Sequence, residues 1–60
     1  MNNGTKEKEW YKPEDIAEKC IVHPETVRIW LRKGYLKGSK LGSVWRIYID
    51  DYQEFIDKRH

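Results

Sequence analysis

The chain has 60 residues and a formal net charge of +2, with twelve Lys and Arg against ten Asp and Glu. That length makes one domain at most and excludes an enclosed catalytic pocket, because so short a chain buries only about 60% of the surface its unfolded form exposes. A net charge of this size is ordinary, but its distribution is not: Thr26 to Ile49 carries Arg28, Arg32, Lys33, Lys37, Lys40 and Arg46 and no carboxylate. A cationic pole of this kind either faces phosphate or stands as a solvated charged surface.

Three Trp, four Tyr and one Phe allow a compact core without a disulfide or a metal. Cys20 is the sole cysteine, so no internal bridge can form, and an unpaired thiol suits a reducing compartment. Cys20, His23 and His60 lack a zinc spacing, and no metal or other cofactor is expected. With no apolar run of membrane-spanning length and no apolar signal core at the N-terminus, the expected location is the cytoplasm.

Residues 1–9 are polar, with alternating Lys and Glu, and read as a disordered lead ahead of a single domain over residues 10–60. The first helix spans Tyr11 to Cys20, with Pro13 in its first turn, Glu14 and Asp15 at the positive end of the dipole, and Ile16, Ala17 and Cys20 on one face. Lys12 stands where a capping Ser or Thr is expected. Val22, His23, Pro24 and Glu25 repeat this grammar and open a second helix, which runs to about Lys33 and stops at Gly34. Val27, Trp30 and Leu31 form its packing stripe; Glu25, Arg28, Ile29, Arg32 and Lys33 point elsewhere.

Beyond Gly34 the period becomes alternating, which predicts a basic hairpin with its tip near Gly42 and Ser43 and a second strand at Val44–Ile49. On that strand Trp45, Ile47 and Ile49 are expected to face inward and Val44, Arg46 and Tyr48 outward. A last helix is expected from Asp50, whose carboxylate caps while Gln53 reaches back, with Tyr52, Phe55 and Ile56 packing. The predicted fold is mainly α with a small β-hairpin, a winged helix-turn-helix in the order α-α-β-β-α.

The run from Tyr11 to Ile56 resembles the short winged helix-turn-helix domains of excisionase-type proteins and of the mercury-resistance-regulator (MerR) superfamily. The most telling pieces are IAEKCIVHPETVRIWLRKGYL, with Ala17, Val27 and Trp30 at the packing positions, and GSVWRIYIDDYQEFI, which resembles a wing strand and its following helix. One position departs: many such domains have Gly in the turn where this chain has Ile21, and a β-branched side chain argues against a left-handed residue there. The resemblance implies a second helix in the major groove and a wing on an adjacent minor groove or its phosphates. It also implies a bacterial or mobile-element setting at the nucleoid, and side-by-side copies on repeated sites.

Arg28 is the leading candidate for reading guanine, with a phosphate contact as the alternative. Glu25 can accept from cytosine or serve the helix dipole, Thr26 shares its turn, and Ile29 can meet a thymine methyl. Arg32, Lys33 and Lys37 are expected along the backbone. The wing offers Lys40, Gly42, Ser43 and Arg46, of which Arg46 can instead pair with a carboxylate of the last helix. No catalytic set can be assembled from these residues, and no small-molecule ligand or membrane partner is expected. The expected function is sequence-specific binding of double-stranded DNA as an excisionase-like recombination directionality factor that bends DNA. The alternatives are a small MerR-like transcription regulator and a module that docks an integrase, a polymerase or another DNA-bound protein.

Overall fold

Two prolines with acidic neighbours open the first two helices of the computed structural model, which describes residues 9–58. Most of the expected lead, residues 1–9, lies outside the described residues; Glu9 is tied down, its carbonyl accepting from the Ile49 N–H at 3.3 Å. In chain order the elements are β1 (Trp10–Tyr11), α1 (Pro13–Cys20), α2 (Pro24–Lys33), β2 (Ser39–Leu41), β3 (Val44–Tyr48) and α3 (Ile49–Lys58). The predicted winged helix-turn-helix is present, with the short strand β1 added at its start.

Local chemistry accounts for each helix end. At α1 the Lys12 side chain makes no cap, and the Asp15 carboxylate instead reaches back to the Lys12 N–H at 3.0 Å. His23 caps α2 as expected, its Nδ1 accepting from the Glu25 N–H at 3.0 Å. Gly34 closes α2 in the left-handed region, with Tyr35 and Leu36 donating back to the Trp30 carbonyl.

Ile21 corrects the expectation at the turn. It adopts φ 59° and ψ 52°, the left-handed conformation that its β-branched side chain disfavours. The reason is the closure of α1: the N–H groups of Ile21 and Val22 both return to the Ala17 carbonyl, a Schellman-type cap that requires a left-handed residue between helix and connector. The cap turns Val22 onto the core and leaves the Ile21 side chain 90% exposed.

The three strands form an antiparallel sheet in the order β1-β3-β2. Trp10 lies opposite Tyr48 and Tyr11 opposite Ile47, while Ser39, Lys40 and Leu41 face Arg46, Trp45 and Val44. Gly42 and Ser43 form the two-residue hairpin loop, and Gly42 takes the positive φ of 63° that its first position favours. Alternation along β3 is as predicted: Ile47 is fully buried and Trp45 packs on the core, while Val44 and Tyr48 are exposed.

Ile49 belongs to α3 rather than to the strand, and Asp50 and Asp51 stand in the first turn of that helix. Gln53 does not reach back to Asp50; its Nε2 donates forward to Asp57 Oδ1 at 3.2 Å. The Ile49 N–H, one of the first-turn donors without an intrahelical partner, is satisfied by the Glu9 carbonyl.

Ile16, Ala17, Val27, Leu31, Leu36 and Ile47 form the buried core, with Tyr11, Cys20, Val22, Trp30, Trp45, Tyr52 and Phe55 packed around it. Trp30 meets Phe55 at a centroid distance of 5.0 Å, and Tyr11 meets Tyr52 edge-on at 5.7 Å. Gly38 admits the backbone to this core, since a Cβ there would lie 2.7 Å from Leu31 Cδ2 and 3.2 Å from Ile47 Cγ1.

Two substitutions are expected to act with opposite sign in thermal and urea unfolding. Ile21→Gly removes left-handed strain at an exposed site and raises stability by about 0.5–1 kcal/mol, net of the extra freedom glycine gives the unfolded chain. Gly38→Ala overpacks the Leu31–Ile47 contact and lowers stability by about 1–3 kcal/mol.

Candidate nucleic-acid interface

Because Val27 and Leu31 are buried, helical geometry turns the charged residues of α2 outward. Arg28 is 34% exposed and reaches two carboxylates. Its Nη2 donates to Glu14 Oε2 at 2.7 Å, across from α1, and its Nη1 to Glu25 Oε1 at 3.4 Å. Arg32 Nη2 donates to the second oxygen of Glu25, Oε2, at 2.9 Å. The Arg32 hydrogen bond first, with the charge of Arg32 and the contacts of Arg28 behind it, holds the Glu25 carboxyl below the ordinary glutamate range. Exposed ion pairs of this kind open at little cost, so both arginines can be re-aimed at a stronger acceptor.

Beside this chain of charges runs an open groove lined by Lys12, Pro13, Glu14, Arg28, Ser43, Val44 and Trp45. Three elements meet there: the start of α1, the middle of α2 and the tip of the hairpin. The structure therefore brings Arg28, Glu25 and Arg32 together and places Ser43 of the wing beside Arg28. Ile29 lies on the surface at 38% exposure, Thr26 is half-buried with its N–H on the His23 carbonyl, and Lys33 is exposed in the last turn of α2.

The wing cations are held by aromatic rings. Lys40 Nζ sits 5.6 Å from the ring centroid of Trp45, its cross-strand partner. The Arg46 guanidinium lies 4.4 Å from the Trp10 ring. Arg46 is on the outer face of β3 as expected, but it is half-buried, and among the described residues it forms no ion pair with α3. Its Nε is buried without a hydrogen-bond partner among the described residues. The ring contact aligns the charged plane without neutralising it.

Lys37 is set apart. It lines a second hollow with Gly34, Tyr35, Asp51, Glu54, Phe55 and Lys58, on the side of α3. There the Glu54 carboxyl is lowered chiefly by its hydrogen bond from Lys58, with the charge of Lys37 adding to it.

Sequence reasoning missed Lys12, Glu14 and Trp10 as parts of this surface. Local pattern gives Glu14 a role at the helix dipole alone, and it gives Trp10 only a place at the start of the domain. Glu14 and Trp10 act through partners at least fourteen positions away, and no local pattern encodes such a pairing.

Among the described residues no helix is long and apolar enough to cross a membrane. No curated protein matches the chain, and no solved structure does. A family model described as a helix-turn-helix domain matches residues 10–60, a span that takes in both helices of the turn, the hairpin and α3. The chain therefore belongs to the helix-turn-helix domain family of the excisionase type, whose members bind DNA.

Proposed function

We propose that this chain binds double-stranded DNA sequence-specifically, with α2 in the major groove and the hairpin against the adjoining backbone, as an excisionase-like recombination directionality factor that bends DNA. The observation that carries this reading is the groove where Arg28 of α2, Lys12 at the start of α1 and Ser43 at the wing tip converge. A helix that reads bases needs flanking groups on the phosphates to fix its register. In this reading Arg28 addresses guanine O6 and N7, Ile29 and Thr26 complete the base-facing turn, and Arg32, Lys33, Lys40 and Arg46 meet phosphates. Gly42 lets the wing tip approach the sugar–phosphate wall. Lys37 drops out because it lies beside the carboxylates of α3. No catalytic step belongs to the proposal.

A single module of this kind buries only about 600–1,000 Å² on DNA, so useful affinity calls for several copies on repeated sites or a DNA-bound partner such as an integrase. Leu41, Val44 and Tyr48, exposed on the hairpin and the outer sheet, favour a protein-docking role beside DNA binding.

Titration against a randomised duplex pool, with sequencing of the bound fraction, tests the main reading. An enriched motif is expected, and Arg28→Ala should lower affinity for the best site by about 1–3 kcal/mol and blur one position of the motif. With Arg32, Lys33, Lys40 and Arg46 on phosphates, log affinity should fall against log salt with a slope of about −4. Binding with no enriched motif would refute the reading. A second check concerns Trp10: Trp10→Leu releases Arg46 and should weaken duplex binding by about two- to fivefold, whereas Trp10→Phe should retain most of it. That loss should vanish in an Arg46→Ala background.

A further inference from the structure

Arg28, the residue proposed to read a base, carries a short contact to a carboxylate from another helix: Glu14 Oε2 lies 2.7 Å from its Nη2, closer than the 3.4 Å to Glu25 of its own helix. The two arginines and two glutamates form one alternating chain, Glu14–Arg28–Glu25–Arg32, with one guanidinium–carboxylate contact at every link. Every member is at least one-third exposed, so the chain opens readily. Glu14 and Arg28 also border the groove against which the wing tip stands. An approaching backbone phosphate therefore meets Arg28 already engaged by an anion, with that anion facing it.

We infer that Glu14 is a specificity-determining residue: it holds Arg28 in an internal ion pair so that the arginine is withheld from phosphates of unrelated sequence and released only to a matching base. This rests on the DNA-reading role of Arg28 proposed above. On non-matching DNA, Arg28 can gain only a phosphate in exchange for a carboxylate, and the freed Glu14 then faces the polyanion uncompensated. The exchange brings little, and the pair stays closed. On a matching site the forked donors of Arg28 gain two acceptors in fixed geometry, O6 and N7 of guanine, which carry no full charge and sit away from the phosphates. Glu14 thus lowers affinity for all DNA, but more for the wrong DNA than for the right one. Glu25 alone cannot supply this, since its second oxygen is engaged by Arg32 and its contact to Arg28 is long.

The test is a double-mutant cycle of Glu14→Gln and Arg28→Ala, titrated against a duplex of arbitrary sequence and against the enriched site, at several salt concentrations. Gln retains the size of Glu14 and a hydrogen-bond acceptor for Arg28 but lacks the charge, and thermal melts confirm that each variant folds. Glu14→Gln should tighten binding to the arbitrary duplex by about three- to tenfold and steepen its salt slope by about 0.9, the increment for one added phosphate contact. The gain on the enriched site should be smaller, so the ratio of the two affinities falls, and both gains should disappear with Arg28→Ala. A purely structural role for Glu14 would change melting and leave slope and ratio alone. An unchanged slope, or equal gains on both duplexes in a wild-type background that enriches a motif, would overturn the inference and spare the DNA-reading proposal. Absence of duplex binding in every variant would overturn both.

Discussion

Val27 and Leu31 stand four positions apart on a helix of ten residues, and burying that pair is the constraint from which the remaining geometry follows. So narrow a stripe is covered only when α1 brings Ile16 and Ala17 to it, the connector after α2 brings Leu36 and β3 brings Ile47. Gly38 makes the second approach possible, because any larger residue would collide with Leu31 before the strand could settle. No polar or charged residue belongs to the buried core among the described residues, so shape and caps, not core hydrogen bonds, select this arrangement. Removing the side chain of a residue such as Leu31 would cost about 2–5 kcal/mol, a large share of the roughly 5–15 kcal/mol that stabilises an ordinary domain. The orientation of the charged surface is thus inherited from the core: once Val27 and Leu31 face inward, Arg28 and Arg32 have no freedom to do so.

The features that were legible in the sequence are those whose physics is local. Pro13 and Pro24 preset the first helical turn, the His23 ring caps α2 two positions away, Gly34 ends it, and the Gly42–Ser43 pair closes the hairpin. Ile21 escaped for an instructive reason. Its own side chain disfavours the left-handed region, and only the demand of the Ala17 carbonyl for two donors, together with Val22 entering the core, outweighs that preference. The strand β1 escaped because two residues carry no periodicity; it exists through its pairing with Tyr48 and Ile47, far along the chain. The start of α3 likewise depends on a distant partner, since the N–H of its first residue, Ile49, is held by the carbonyl of Glu9.

Charge shows the same divide between line and space. Along the chain the stretch from Arg28 to Arg46 is free of carboxylates, which reads as a cationic pole. Folding then brings Glu14 across from α1, and Glu25 back along α2, so that both arginines of α2, Arg28 in the groove and Arg32 a turn beyond, have internal counter-ions. The cations of the wing were spared this. β2 and β3 contain no acidic residue, and the partners available to Lys40 and Arg46 are the rings of Trp45 and Trp10. An aromatic face orients a cation and leaves its charge largely intact at range, whereas a carboxylate cancels it.

The surface therefore holds two kinds of positive charge, and in the proposed complex they suit two stages of an encounter. Lys40 and Arg46, oriented but not neutralised, project a field that draws the domain to any phosphate backbone and tolerates movement along it, because such contacts carry no sequence information. Arg28 and Arg32 contribute less to that field while their ion pairs are closed. A binding domain of this size has little area with which to separate one sequence from another, and each cation spent on indiscriminate attraction narrows the margin further. Neutralising the reading helix from within, while leaving the wing charged, widens that margin without adding a single contact. On the proposed reading, that division makes the carboxylates of Glu14 and Glu25 compatible with DNA binding by the helix face they flank.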